Sequence, residues 1–196
     1  MHSLSASFIL GYHGCDAEVA EQLLRGDSFD LSNNTYDWLG RGIYFWEANP
    51  QRGMEFATEQ SGRASKNIKQ PSVVGAVLDL GYCLDLTTSA GIQVVRDAYA
   101  SLRRATRAAK KSLPKNRRDR FMHDLDCAVI NHLHAARAQQ GLRSFDSVKG
   151  LFVEGKRIFP NSEFREKNHI QVAVLNASQI KGVFRVLPSQ FEFPKS

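Results

Sequence analysis

The chain has 196 residues, enough for one domain with a substantial core, and its 42% hydrophobic and 23% charged residues are those of an ordinary soluble protein. No apolar run is long enough to cross a bilayer, the segment "MHSLSASFILGYHGC" lacks the basic start of a secretory signal, and three scattered cysteines (Cys15, Cys83, Cys127) predict reduced thiols and a cytoplasmic location. The formal charge of +6 is unevenly placed: twelve Lys and Arg between residues 96 and 143 face four Asp, so this block carries +8 and the rest of the chain −2, which points to an anionic partner.

In chain order, "SASFILGYHG" reads as a strand ending at His13 and Gly14. "DAEVAEQLLRGD" follows as a helix with Val19, Ala20, Leu23 and Leu24 on one side, Asp16 as N-cap and Gly26 as stop. "FDLSNNTYDWLGRG" is a loop, "IYFWE" a short strand, and Asn49 with Pro50 opens a helix over "PQRGMEFATEQSGRA". "SVVGAVLDL" and "CLDL" are strands. From Ser89 to about Gly141 the period is helical: a first helix runs to a break at Pro114, and Asn116 caps a second that carries Phe121, Leu125, Val129 and Leu133. Strands return in "VKGLFVEG", "HIQVAVLN" and "GVFRVL", the first two separated by the loop "KRIFPNSEFREKN". Strands at both ends with helices between them predict a single α+β domain, without a repeating βαβ unit.

Four pieces carry candidate chemistry: "YHG" at 12–14, "GRGIYFWE" at 40–47, "MEFA" at 54–57 and "NHIQVAVLNASQI" at 168–180. A polar residue at a strand end can aim a hydrogen-bonding group, and a neighbouring glycine leaves the main chain open to contact. In this order and spacing the pieces resemble the diphtheria-toxin-like branch of the ADP-ribosyltransferases, which includes the poly(ADP-ribose) polymerases. The likeness covers the N-terminal third and the last quarter; the basic helices lie outside it. It implies a split β-sandwich core with a basic helical insertion at about 89–143, and cleavage of the nicotinamide–ribose bond of NAD as co-substrate, with no metal. His13 would then donate to the adenosine-side ribose and the Gly14 main chain would pair with the nicotinamide carboxamide. Tyr44 and Phe56 would hold the nicotinamide ring, His169 and Tyr36 would border the NAD pocket together with Asn34 and Asp37, and C1′ would develop oxocarbenium character.

The family's late glutamate falls on Gln171 in this register. A glutamine hydrogen-bonds a ribose hydroxyl but cannot take its proton, so chain elongation is not expected, whereas single transfer to a lone-pair nucleophile is. Glu154 at the end of the preceding strand is the first candidate to replace the carboxylate, ahead of Glu163 and Glu166 in the loop. The resemblance further implies a bacterial toxin held by an antitoxin protein. The basic side chains Arg103, Arg104, Arg107, Lys110, Lys111, Lys115, Arg117, Arg118 and Arg120 favour a nucleic-acid acceptor, RNA ahead of DNA.

Other readings remain beside this one: a transferase acting on protein, a non-catalytic NAD or ADP-ribose module, or a nucleic-acid-binding protein built around the helices. A lone histidine is more often structural than ligand-binding, an aromatic on a helix usually packs, and a charge run is usually a solvated face. The set His123, Cys127, His132 and His134 lacks the paired spacing of a zinc site. No phosphate loop, "HExxH" or serine-hydrolase elbow occurs, and "GRG" at 40–42 is not a dinucleotide fingerprint.

Overall fold

The computed structural model describes residues 8–62, 68–117, 122–187 and 191. Strand β1 (Phe8–Asp16) is longer than the sequence suggests: it does not stop at His13 but pairs antiparallel with β3 (Pro71–Asp79) along its whole length, out to Asp16 against Pro71. Ala17–Leu24 forms α1, capped by the Asp16 side chain, which accepts from Glu18 N, and stopped by Gly26 at φ +104°. β2 is Ile43–Glu47, and α2 is Pro50–Ser61, with Pro50 in its first turn and the Asn49 side chain accepting from Arg52 N.

β4 (Cys83–Asp85), α3 (Ser89–Ala108), α4 (Asp124–Gln139), β5 (Ser147–Phe152), β6 (His169–Val174) and β7 (Ile180–Arg185) follow among the described residues. The helical boundaries differ from expectation. α3 ends at Ala108, well before Pro114, and α4 starts at Asp124. Asn116 still caps α4, but through space: its Oδ1 accepts from Leu125 N and Asp126 N, nine and ten residues away. Phe121, Arg118 and Arg120 lie outside the described residues.

The strands form one seven-stranded sheet in the order β4-β5-β6-β2-β1-β3-β7. The fold is thus α+β, a mixed open sheet with four helices. Its weakest seam is in the middle, where β1 and β2 pair only at Gly11–Glu47 and Tyr12–Trp46. Side chains of paired residues share a face. One face holds Ile43, Phe45, Ala76, Leu78, Val172 and Val174; near its β3 end α1 packs Ala20 and Leu23 against Cys15 and Val74. The other face is covered twice. α2 lies over β1 and β3, while α3 and α4 bring Ala98, Val129, Ile130 and Leu133 onto Leu84, Val148 and Ala173. The basic helical block is therefore part of the core on its inner side, where the sequence suggests an appended insertion. Between these coverings the sheet face is left open.

Candidate functional site

The uncovered stretch is a cavity of about 280 Å³. It gathers His13, Gly14, Tyr36, Tyr44, Phe56, Glu154, His169 and Gln171, and with them Asn34 and Asp37, the residues expected to meet or border the dinucleotide. They come from β1, the 29–42 loop, β2, α2, the end of β5 and β6.

The seam between β1 and β2 explains the His-Gly pair. Leu10 O accepts from Ala48 N across the seam, so with the two-residue alternation of strand peptides Gly14 also aims its N–H and C=O toward β2. A continued ladder would pair Gly14 with Tyr44, but the Tyr44 carbonyl accepts from His13 Nδ1 at 2.8 Å. The imidazole thereby takes the place of a ladder donor, and the Gly14 peptide is left facing the cavity. Its lack of a side chain has a second cause that the sequence does not reveal: a Cβ there would stand 2.2 Å from Gly53 O of α2. Burial lowers the His13 pKa, opposed by its bond to the Tyr44 carbonyl. A neutral ring with Nδ1 committed presents Nε2 as an acceptor, so His13 would accept a hydroxyl proton at rest and donate only once protonated.

Tyr44 is anchored by its hydroxyl, which donates to Gly40 O at 2.7 Å and accepts from Leu39 N at 3.1 Å. Burial, reinforced by the Asp37 charge, pushes the phenol well above its ordinary pKa, so it stays protonated and offers the cavity a ring face. Phe56 packs on Trp46, with ring centres 4.9 Å apart. From there rings run on through His169, Phe152 and Trp38, at 6.3, 5.5 and 5.1 Å between successive centres. The cavity thus has an aromatic wall.

Gln171 is oriented by a residue to which the sequence assigns no role. Trp38 Nε1 donates to Gln171 Oε1 at 2.6 Å, which leaves the Gln171 amide N–H groups to serve the cavity. Glu154 is not an open carboxylate. The buried Arg52 binds it at both oxygens, with Nη2 at 3.0 and 2.9 Å and Nε at 3.2 Å, so Glu154 is the counter-ion of Arg52. Arg52 Nη2 also reaches Glu59, which Lys167 holds at 2.7 Å. Glu163 pairs with Arg157 and Glu166 accepts from Lys156 N; neither lines the cavity. Asp37 does, accepting from Ser32 Oγ and Asn34 Nδ2.

His169 donates from Nδ1 to Lys167 O at 2.6 Å, and burial lowers its pKa. Arg52, Trp38, Glu59 and Gln60 are among the lining residues that sequence reasoning missed, as are Trp46, Phe152 and Met122. A signal for α2 existed: Gly53, Ala57 and Gln60 recur at helical spacing on its buried side, and Arg52 sits beside them.

Arg103, Arg104, Arg107, Lys110, Lys111, Lys115 and Arg117 are exposed and line no part of the cavity. Arg117 is nonetheless joined to its wall. Arg117 N bonds Met122 O, His123 N bonds Tyr36 O, and Met122 and His123 are at the cavity wall. His123, Cys127, His132 and His134 have separate surroundings: Asp126, the Asn34 carbonyl, Ser101 and the Phe145 ring. Among the described residues no group of side chains is arranged to hold a metal ion, and no helix is long and apolar enough to cross a membrane.

The chain is 26% identical to an uncharacterized protein of Methanocaldococcus jannaschii over 189 aligned residues, which span 87% of this chain and 83% of that protein. No family model and no solved structure matches it.

Proposed function

We propose that this protein is an NAD-dependent mono-ADP-ribosyltransferase whose acceptor is a nucleic acid, RNA ahead of DNA, and that it acts as a bacterial toxin controlled by an antitoxin protein. The observation that carries the reading is the meeting, in one cavity, of His13, Gly14, Tyr44, Phe56 and Gln171 from four separate parts of the chain. The fit to the dinucleotide rests on the freed Gly14 peptide, which can pair with a carboxamide, and on aromatic faces that accept a flat ring without demanding a proton. The split core of the family is supported by a sheet whose two halves are joined at two residue pairs.

In the reaction the C1′–N bond breaks and its electron pair stays on the departing nicotinamide. The lone pair of an acceptor nitrogen forms the new bond to C1′, and that nitrogen releases a proton to solvent. The chain's part is orientation. His13 Nε2 and the Gln171 N–H groups would hold ribose hydroxyls, the latter oriented by the bond from Trp38. Such an acceptor needs no protein base. That suits a site in which Gln171 replaces the expected carboxylate and Glu154 is bound by Arg52. The exposed cations from Arg103 to Arg117, the last of them bonded to Met122 at the cavity wall, favour a phosphate-bearing acceptor over a protein.

A second reading draws on the same two features. With Gln171 and a neutralised Glu154, the chain would be a non-catalytic NAD or ADP-ribose module. Mass spectrometry of RNA, DNA and protein incubated with NAD separates the readings, using Tyr44→Ala as control. Added ADP-ribose on nucleic acid supports the first; NAD binding without nicotinamide release supports the second; label on protein alone moves the acceptor class. Growth arrest on expression, relieved by Tyr44→Ala, tests the toxin role.

A further inference from the structure

Four side chains at the α2 end of the cavity each have a buried polar atom with no partner: Trp46 Nε1, Arg52 Nη1, Gln60 Oε1 and His169 Nε2. All four residues are more than nine-tenths buried and all line the cavity. Two of them flank the ring of a third, for Arg52 Cζ is 5.9 Å from the Trp46 ring centre and the His169 ring 6.3 Å from it. Gln60 lies further along the same buried side of α2. Unpaired buried donors and acceptors are costly and rare in folded chains, so four around one space describe a group that the space is shaped to receive.

Their neighbours fix the role of each atom. Arg52 spends Nε and Nη2 on Glu154 and Glu59, which leaves Nη1 as a donor. His169 donates from Nδ1 to Lys167 O, so Nε2 carries the lone pair and accepts. The indole N–H of Trp46 can only donate, and the Gln60 carbonyl can only accept. Arg52 and Lys167 are matched by Glu154 and Glu59, so the place has no surplus positive charge for a phosphate.

We infer that these four side chains form a subsite for a neutral planar amide, a C=O beside an N–H, with the oxygen taken by Trp46 and Arg52 and the N–H by His169 and Gln60. Two sources carry that chemistry: the lactam edge of an acceptor nucleobase, and the carboxamide of the nicotinamide ring, which would then be held here in place of the Gly14 peptide. The subsite rests on the transferase reading only for this choice of source.

The test compares ligands that differ in the N–H alone, by calorimetric titration of the full chain. Nicotinamide is set against 3-acetylpyridine, and guanosine against 1-methylguanosine. Wild type is expected to prefer the N–H member of one pair by roughly tenfold. The nicotinamide pair identifies the co-substrate and the guanosine pair the acceptor. Gln60→Met and His169→Phe should each bring that preference down toward unity, while Trp46→Phe weakens both members of the pair alike. Because each readout is a ratio on one variant, partial unfolding does not imitate it, and Gln60→Met suffices where Trp46→Phe does not fold. No preference in either pair, or one untouched by both Gln60→Met and His169→Phe, overturns the subsite. Nicotinamide release from NAD by wild type is measured alongside. Release without an amide preference leaves the transferase standing and removes the subsite; a preference without release does the opposite.

Discussion

Arg52 and the arginines of α3 are the same residue type put to opposite uses. Arg52 is 6% exposed, with its guanidinium shared between Glu154 and Glu59 at the floor of the cavity. Arg103, Arg104 and Arg107 stand on the solvent side of α3. Charge along the chain is concentrated in the α3 block, where twelve basic residues face four acids, and Arg52 does not stand out because it is one cation among its own counter-ions. Burial decides the difference. A buried ion pair that loses one member leaves a charge in a place water cannot reach, whereas a surface charge changes little but long-range attraction. On the proposed function, the charge block marks the face for a partner and the buried Arg52 marks the cavity.

The largest expected effect follows from that contrast. Arg52→Met should cost about 3–5 kcal/mol of stability, because it strands the Glu154 carboxylate, and denaturant unfolding will measure it. A cost near zero would mean that Arg52 is no more embedded than the α3 arginines. Next comes Gly14→Ala. Its Cβ would stand 2.2 Å from Gly53 O, a backbone atom that cannot turn aside, so α2 must move off the sheet at an overpacking cost of about 1–3 kcal/mol. The same shift disturbs Phe56, and nicotinamide release should fall with stability.

Much of this layout was legible in the sequence, and the reasons for the rest are physical. Local signals worked: the Asp16 cap, the Asn49–Pro50 start of α2 and the Gly26 stop are all as expected, because each depends on neighbours within a few residues. The strand "IYFWE" appears with its predicted bounds. What failed was long range. The length of β1 past His13 depends on pairing with β3 some sixty residues on, and the cap of α4 reaches back to Asn116. The partners of Gln171 and Glu154 lie 133 and 102 residues away, at Trp38 and Arg52, so no spacing rule could attach them. The candidate cavity was therefore legible as a set of residues, and its hydrogen bonding was not.

The third effect concerns pH and a histidine in neither region. His134 packs against Phe145, and burial lowers its pKa to about 4 from an ordinary 6.5. Because the unfolded chain takes up this proton first, the contribution of His134 to stability is full above about pH 6.5 and is lost as pH falls toward 4. His13 and His169 are lowered as well and add to the same trend. In His134→Leu the acid limb of a stability-against-pH curve should flatten; an unchanged limb would assign the trend to the other histidines.

Trp38→Phe comes next, because it removes one hydrogen bond and keeps the aromatic wall. The loss in stability should be about 1 kcal/mol. The functional loss should exceed it, since the Gln171 amide is then free to turn its carbonyl into the cavity. Nicotinamide release that falls in kcat, with KM for NAD little changed, would mark Trp38 as a positioning residue for the reacting sugar. A change in stability alone would make the contact structural.

The smallest effect on folding belongs to the outer face of α3, and there it is most informative. Replacing Arg103, Arg104 and Arg107 together with Glu should alter stability by no more than about 0.5 kcal/mol per site, since nothing buried is disturbed. Nicotinamide release from NAD should also persist, because none of the three lines the cavity. Transfer to nucleic acid should fall sharply in the same variant and its salt dependence should flatten, by about one unit of log–log slope for each phosphate no longer neutralised. If transfer and its salt slope survive the reversal, α3 is a solvated face and the acceptor is recognised elsewhere. If release is lost together with transfer, the helix and the cavity are not separable, and the contrast between the buried arginine and the exposed ones fails.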